Sequence, residues 1–503
     1  MQVVSKNKFN GGIADDIREE VTNKVAHASH FDIWSNPFRA TPFRSMSAAD
    51  AGAGSNIRNF IMSSIGLVYG IGIVPSTSRM RLFSSDWAAF TSWTTVASSA
   101  TETQVVAAVG GFNALIEYKD YLYGIHGANL NKIWRYGPLS SSPSYTEDYT
   151  AGGTISNSYT RCGGVVIGSD DNLYILLSSS SRNDVIKITS AHAVSTAAVS
   201  LPATNEYGTC AEISGSYLAI GTVRPSETSV GNSLSKIYLW DYVSADPTEK
   251  IVCPDGGLVA MGNVDGNLFT ITRLFRTGFG HINTTFVGIV RGLVVDVFAI
   301  LPNVIPTASR RQVYSGNMYF GGLHSSDYSK SGIYAIGRAN SNYPWGVTME
   351  FQAVSTGSTN PTAINGFYIV DDYMWLSHST DNVTKILNSA LYQNTSIIET
   401  LINDSMIIED RSKQKKLMAI RVTFVPLPST AQVVLKYATD TTTYTTVKTF
   451  STTGATYFEA EVDANGALFT AGREFQFRIE STNGAEIVGI DYKYEITKSL
   501  LEK

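Results

Sequence analysis

Few residues in this chain have the types and spacing that chemistry asks for. His27-Ala28-Ser29-His30-Phe31-Asp32 places two imidazoles and a carboxylate close together, a set able to ligate a metal ion. The histidines are not spaced as in HExxH, and nothing else in the sequence converges on them, so the segment reads as a surface loop. Asp170-Asp171 and Asp371-Asp372 could hold calcium or move protons. Each pair stands just before an apolar strand, where Asp is favoured in turns for backbone reasons alone. No GxSxG elbow, phosphate-binding P-loop or Gly-rich dinucleotide fingerprint occurs. The expectation is a protein with no catalytic residues, no cofactor and no bound metal.

Composition narrows the partners. With 38 Lys and Arg against 43 Asp and Glu, the formal charge is −5, which argues against binding a nucleic-acid backbone. Charged residues make up 16% and aromatics 11%, with 26 Tyr, a mix that suits short strands and tight turns better than helices. Three widely spaced cysteines, Cys162, Cys210 and Cys253, form neither a metal knuckle nor a disulfide framework and read as small buried residues. The opening Met1 to Lys6 lacks an apolar signal core, so cytoplasmic synthesis is expected. The most apolar stretch, Val287 to Leu301, is interrupted by Arg291 and Asp296, which argues against membrane insertion.

The elements that would position any site come from a repeat. A turn of Gly, Asp, Asn or Ser followed by Leu or Met, and usually an aromatic, recurs as Gly66-Leu67-Val68-Tyr69, Asp120-Tyr121-Leu122-Tyr123, Asn172-Leu173-Tyr174, Ser216-Tyr217-Leu218, Asn267-Leu268-Phe269, Asn317-Met318-Tyr319 and Tyr373-Met374-Trp375. The anchors Leu67, Leu122, Leu173, Leu218, Leu268, Met318 and Met374 are spaced 55, 51, 45, 50, 50 and 56 residues apart. An apolar run precedes each anchor across a short turn, which is hairpin geometry. A third strand follows with Ile or Leu beside a basic or aromatic residue, as in Lys132-Ile133-Trp134 and Lys236-Ile237-Tyr238. The fifth unit carries Phe286 to Leu301 in its place. A weaker fourth strand closes most units, Ile397 to Leu401 closing the last. Four antiparallel strands every ~50 residues is the pattern of a β-propeller blade, and seven copies predict a seven-bladed β-propeller over residues 58–403. The Ser-x-Asp-x-Gly-x-x-Trp turn of sugar-cleaving propellers is approached once, at Ser85-Asp86-Trp87, without the Gly.

Two segments flank the repeat. Asp410 to Lys416 reads as a solvated basic linker. Beyond it, within a C-terminal domain of 404–503, alternation is clean: Met418, Ile420, Val422 and Phe424 on one face, then Val433, Leu435 and Tyr437, then Phe475, Phe477 and Ile479, then Ile490, Tyr492 and Tyr494. Period two with one wet face predicts a C-terminal antiparallel β-sandwich, jelly-roll-like. Residues 1–57 read as an N-terminal arm and linker. The spacing of Ile13, Ile17, Val21 and Val25 predicts a short helix, and Pro37 and Pro42 an extended stretch. The arm holds the candidate interaction residues Phe31, Trp34, Phe38, Arg39, Phe43 and Arg44, since aromatics with Arg anchor interfaces. It either folds back on its own propeller or reaches a neighbouring subunit. On the second reading, a chain lacking residues 1–44 folds as a soluble monomer.

Phe9-Asn10-Gly11-Gly12 followed by Ile13 to Asp16 resembles the opening of tailed-bacteriophage virion proteins. Ile420-Arg421-Val422-Thr423-Phe424, Phe475-Gln476-Phe477-Arg478-Ile479 and Glu486 to Tyr492 are similar to the sandwich that ends them. The resemblance implies a non-enzymatic structural component of a phage virion, in the tail, tail tip or neck, with other virion proteins as partners. A propeller is a rigid platform that binds without catalytic groups. The alternatives are a carbohydrate-binding adhesin, which takes host surface glycans and needs exposed aromatics, and a propeller glycosidase or lyase, which needs two carboxylates ~5–10 Å apart.

Overall fold

The computed structural model describes residues 2–6, 27–29, 31–34, 39–43, 46–49, 56–74, 79–86, 93–98, 115–125, 132–149, 155, 159–179, 181–201, 206–224, 234–253, 256–276, 282–325, 330–352, 364–370, 373–378, 383–386, 395–400, 413–441, 443–461 and 470–498. The protein is all-β: the described residues contain no α-helix. The helix expected over Ile13 to Val25 lies outside them. The chain divides into two compact units, one of 47–331 and 353–386, the other of 1–46, 332–352 and 387–503.

The unit that holds the repeat is propeller-like. Its first sheet runs Asn56–Met62, Leu67–Val74, Arg79–Asp86 and Thr94–Ser98. The second is Leu115–Tyr118, Tyr121–Ile125, Ile133–Gly137 and Ser144–Thr146. The third is Arg161–Ile167, Leu173–Ser179, Arg182–Ile188 and Val194–Leu201. The fourth is Tyr207–Ser214, Tyr217–Arg224, Leu234–Trp240 and Glu249–Val252. The fifth is Gly257–Val264, Asn267–Arg276, Ile282–Arg291 and Val294–Pro302, so the irregular apolar run becomes a hairpin turning at Gly292. Val304–Tyr314 and Asn317–His324 form a sixth hairpin. The last sheet is Ile364–Val370, Tyr373–His378, Val383–Ile386 and Met46–Ala49. Each innermost strand packs beside the next, and Ile364–Val370 packs beside Asn56–Met62, so the series closes on itself.

That last sheet corrects the sequence reading twice. Its fourth strand is Met46–Ala49, from the segment read as a linker, and Ile397 to Leu401 does not close it. Taking one strand from the start of the chain ties first sheet to last through main-chain hydrogen bonds, where a sheet made of consecutive strands would leave an open seam.

Turn chemistry explains the recurrent motif. Lys119-Asp120, Asp265-Gly266 and Ser315-Gly316 have φ of 47° and 68°, 50° and 78°, and 49° and 77°. Two successive positive φ values define the type I′ hairpin, which Asp, Asn and Gly tolerate. Strand alternation then sends the anchor to one neighbour and the residue after it to the other. Leu173 packs with Tyr123 and Ile125 of the second sheet, whereas Tyr174 packs with Leu218 and Ile220 of the fourth. Leu268 packs with Ala219. The first unit departs from this frame. Its turn matches that of the third unit, Ser63 N donating to Leu67 O as Gly168 N donates to Asn172 O, and Val68 pairs with Met62 as Leu173 pairs with Ile167, so Leu67 takes the place of Asn172. Val68 is fully buried and Leu67 only half-buried, so Val68 is the anchor there.

Cys162, Cys210 and Cys253 are free and buried, and burial pushes each thiol up to about 12. Because the thiolate is the reactive form, the folded protein should show no fast reaction with a disulfide reagent at pH 8, and all three thiols should react in denaturant. A fast thiol in the native protein contradicts this packing.

In the other unit, one sheet runs Gln2–Lys6, Ile487–Lys498, Gln414–Phe424 and Tyr457–Glu461. A second runs Gly332–Gly337, Gly346–Gln352, His27–Ser29, Ser396–Glu399, Phe475–Thr482, Gln432–Thr439 and Thr445–Phe450. Phe477 of one sheet meets Tyr492 of the other with ring centroids 5.0 Å apart. The expected linker Asp410 to Lys416 is corrected in part: Gln414–Lys416 is strand, and Lys415 is fully buried, with Nζ donating to Arg473 O at 2.9 Å. A register shift between Leu417 and Ala419 reverses the faces upstream of it, so Leu417 is buried where Met418 was expected.

Candidate functional site

The innermost strands of the repeat unit are hydrogen-bonded on one side only, and their other edges face a common axis. The register of several shifts near the start: between Cys162 and Gly164, Gly208 and Cys210, Leu258 and Ala260, and Ile364 and Gly366. Each bulge leaves an extra residue outside the ladder and bends the strand. Glycine is required where two bulged strands approach: a Cβ on Gly163 would lie 2.9 Å from the Gly208 carbonyl.

These strands line a cavity of about 300 Å³, whose wall includes Gly163, Gly164, Val259, Ala260, Glu212 and Arg311. Arg311 Nη2 donates to Glu212 Oε2 at 2.5 Å and to Ala211 O at 2.6 Å. The pair links the fourth inner strand to the sixth, past the fifth. Glu212 Oε1 also accepts from Ile213 N at 3.0 Å, and Arg311 Nε is buried with no partner. The side chains are 22% and 14% exposed.

The repeat shows how unusual these residues are. Arg311 pairs across its hairpin with Phe320, two residues after the anchor Met318. The same place in the other units is held by Phe60, Leu115, Val165, Ala211, Met261 and Phe367. Glu212 stands where other units have Ile61, Ile116, Val166, Gly262, Gln312 or Tyr368.

A second polar cluster joins the second and third sheets. Tyr123 OH and His192 Nδ1 are 2.7 Å apart, and Tyr149 OH donates to His192 O at 2.8 Å. Arg135 lies over the rings of Tyr121 and Tyr149, 4.3 and 3.8 Å from their centroids. Burial first, and then the Arg135 charge, hold the His192 imidazole below its usual range. With Arg135 on their faces, these rings read as a packed stack.

The two buried carboxylates described in this unit are fully engaged. Asp184 accepts from Tyr159 OH at 2.5 Å and Ser200 Oγ at 2.6 Å, and pairs with Arg182. Glu206 accepts from Tyr238 OH at 3.1 Å and pairs with Lys236. Among the described residues no three His, Cys, Asp or Glu side chains converge on one point.

The residues singled out in the sequence fall elsewhere. Phe31 and Trp34 are buried, at 0% and 5% exposure. Phe43 packs on Phe351 at 4.9 Å between centroids, and Arg39 pairs with Glu486 at 2.8 Å. Phe38 and Arg44 lie outside the described residues, as do His30, Asp371 and Asp372. His27–Ser29 is a strand and not a loop, and Asp32 Oδ1 accepts from Trp34 N at 2.9 Å. Asp170 takes Tyr174 OH at 2.6 Å and Asn172 Nδ2 at 2.7 Å within its own hairpin, and Asp171 pairs with Lys119 of the second sheet's turn. The axial pair was missed because one anchor frame had to be laid over all seven units before two charges stood out at apolar positions.

No family model and no curated protein matches the chain. Among solved structures the chain is similar to the Dos1 propeller, at 10% identity over 76% of this chain and 94% of that one, with a TM-score of 0.38. It is similar to the β-propeller domain of the Trilobed protease from Pyrococcus furiosus, at 10% identity over 64% and 90%, with a TM-score of 0.38. An exo-β-1,3-galactanase from Phanerochaete chrysosporium aligns at 9% identity over 90% and 100%, with a TM-score of 0.30. At these TM-scores none of them carries an argument about activity.

Proposed function

We propose that the chain is a non-enzymatic structural and interaction component of a phage virion, a seven-bladed β-propeller used as a rigid docking platform and joined to a β-sandwich. Its partners are other virion proteins, including neighbouring copies, and its place is the particle. One observation carries the reading. Two stretches that bear the resemblance to phage virion proteins, Ile420 to Phe424 and Glu486 to Tyr492, are far apart in sequence yet pair in one sheet. Gln2–Lys6, just ahead of Phe9-Asn10-Gly11-Gly12, pairs with Ile487–Lys498, which pairs with Gln414–Phe424. Opening and closing segments of the chain therefore form one sheet, as a shared module would require. The closed series of sheets, each buried against two neighbours, supports the platform role, because such packing leaves little freedom to flex.

Mass spectrometry of particles purified from an induced host that encodes the chain should recover it in fixed proportion to the other particle proteins. Particles that assemble without it overturn the reading.

A further inference from the structure

We propose that the axial cavity, with Arg311 and Glu212 side by side in its wall, binds a neutral polyhydroxylated ligand of monosaccharide size through a vicinal diol. This goes beyond the role proposed above and does not depend on it. The repeat is an internal control: the Arg311 position is apolar in all six other units, and the Glu212 position is polar in only one other, at Gln312. Two partly desolvated charges are a poor way to hold a fold together, since apolar replacement of such a pair is often neutral or stabilising. A role in recognition accounts for them.

Geometry selects the ligand. The guanidinium and carboxylate are 2.5 Å apart and both line a cavity of about 300 Å³. That volume is at the small end of the ~300–1,000 Å³ usual for small-molecule sites. An anion would have to draw Arg311 away from Glu212, and a cation the reverse. A vicinal diol disturbs neither: one hydroxyl accepts from the guanidinium while its neighbour donates to the carboxylate. The strand edges around the axis add main-chain donors and acceptors, which suit further hydroxyls.

The full chain can be probed by saturation-transfer NMR with methyl glucoside, methyl galactoside and methyl mannoside, with acetate and calcium as ionic controls. trans-1,2-Cyclohexanediol against cyclohexanol isolates the diol. At least one hexoside should saturate with a Kd of about 1–10 mM, and the diol should bind at least ~10-fold better than the alcohol. The double variant Arg311→Met with Glu212→Ile installs residues that the repeat itself uses at these places. It should melt at or above the wild-type temperature and lose at least ~10-fold in hexoside affinity. The isosteric Glu212→Gln, which keeps the shape, should weaken the hexoside alone. No hexoside binding at about 100 mM, tighter binding of acetate or calcium, hexoside binding that survives both variants, or a double variant that melts well below wild type each overturns the proposal.

Discussion

A chain lacking residues 1–44 is expected to come out insoluble, or to melt far below the full-length protein. Read from sequence, these residues could have been a detachable arm. In the structure His27–Ser29 fills a slot between Gly346–Gln352 and Ser396–Glu399, parallel to the first and antiparallel to the second. Its removal strands main-chain groups on both neighbours at once. Phe31, Ile33, Trp34 and Ala40 are buried, and the loss of each large side chain forfeits roughly 1.5–3 kcal/mol of burial. Gln2–Lys6 also caps the edge of Ile487–Lys498. These losses are together of the same order as the ~5–15 kcal/mol by which whole domains are usually stable. Circular dichroism and thermal unfolding of the truncated chain would decide the matter. A soluble, cooperatively folding truncation with wild-type stability would show that the arm is dispensable.

Leu268→Ala should lower unfolding free energy by about 2–5 kcal/mol, since the side chain is 3% exposed and packed between the fourth and fifth sheets. The same truncation at Leu67 should cost clearly less, because Leu67, at the start of its strand, is only half-buried, and Val68→Ala should cost more than Leu67→Ala although valine loses fewer atoms. The order of the three values, read from denaturant unfolding, tests the anchor frame. If Leu67→Ala is as costly as Leu268→Ala, the sequence frame is right and the shifted one wrong.

The fate of the arm and of the first anchor marks what sequence could and could not decide. Local signals were legible because their causes are local. Asp265-Gly266 and Ser315-Gly316 each hold a glycine that tolerates positive φ and so announce hairpins, and Leu268-Phe269 alternates because successive strand residues face opposite ways. The apolar alternation of Phe475, Phe477 and Ile479 likewise placed one wet and one dry face, and all three are buried. Failures came where one residue shifts a register. A leucine at position 67, where the third unit has Asn172, and one bulge at Leu417 to Ala419 each move the buried side chain by one position from where the pattern puts it, and composition around a bulge does not reveal it. Long-range pairing was beyond sequence altogether. Nothing within Met46–Ala49 says that it will complete a sheet whose other strands lie more than 300 residues later, nor in Arg311 that it will meet Glu212 two sheets away. Those partners are chosen by closure. A ring of sheets has one seam and one axis, and only the assembled tertiary structure determines which residues stand at each.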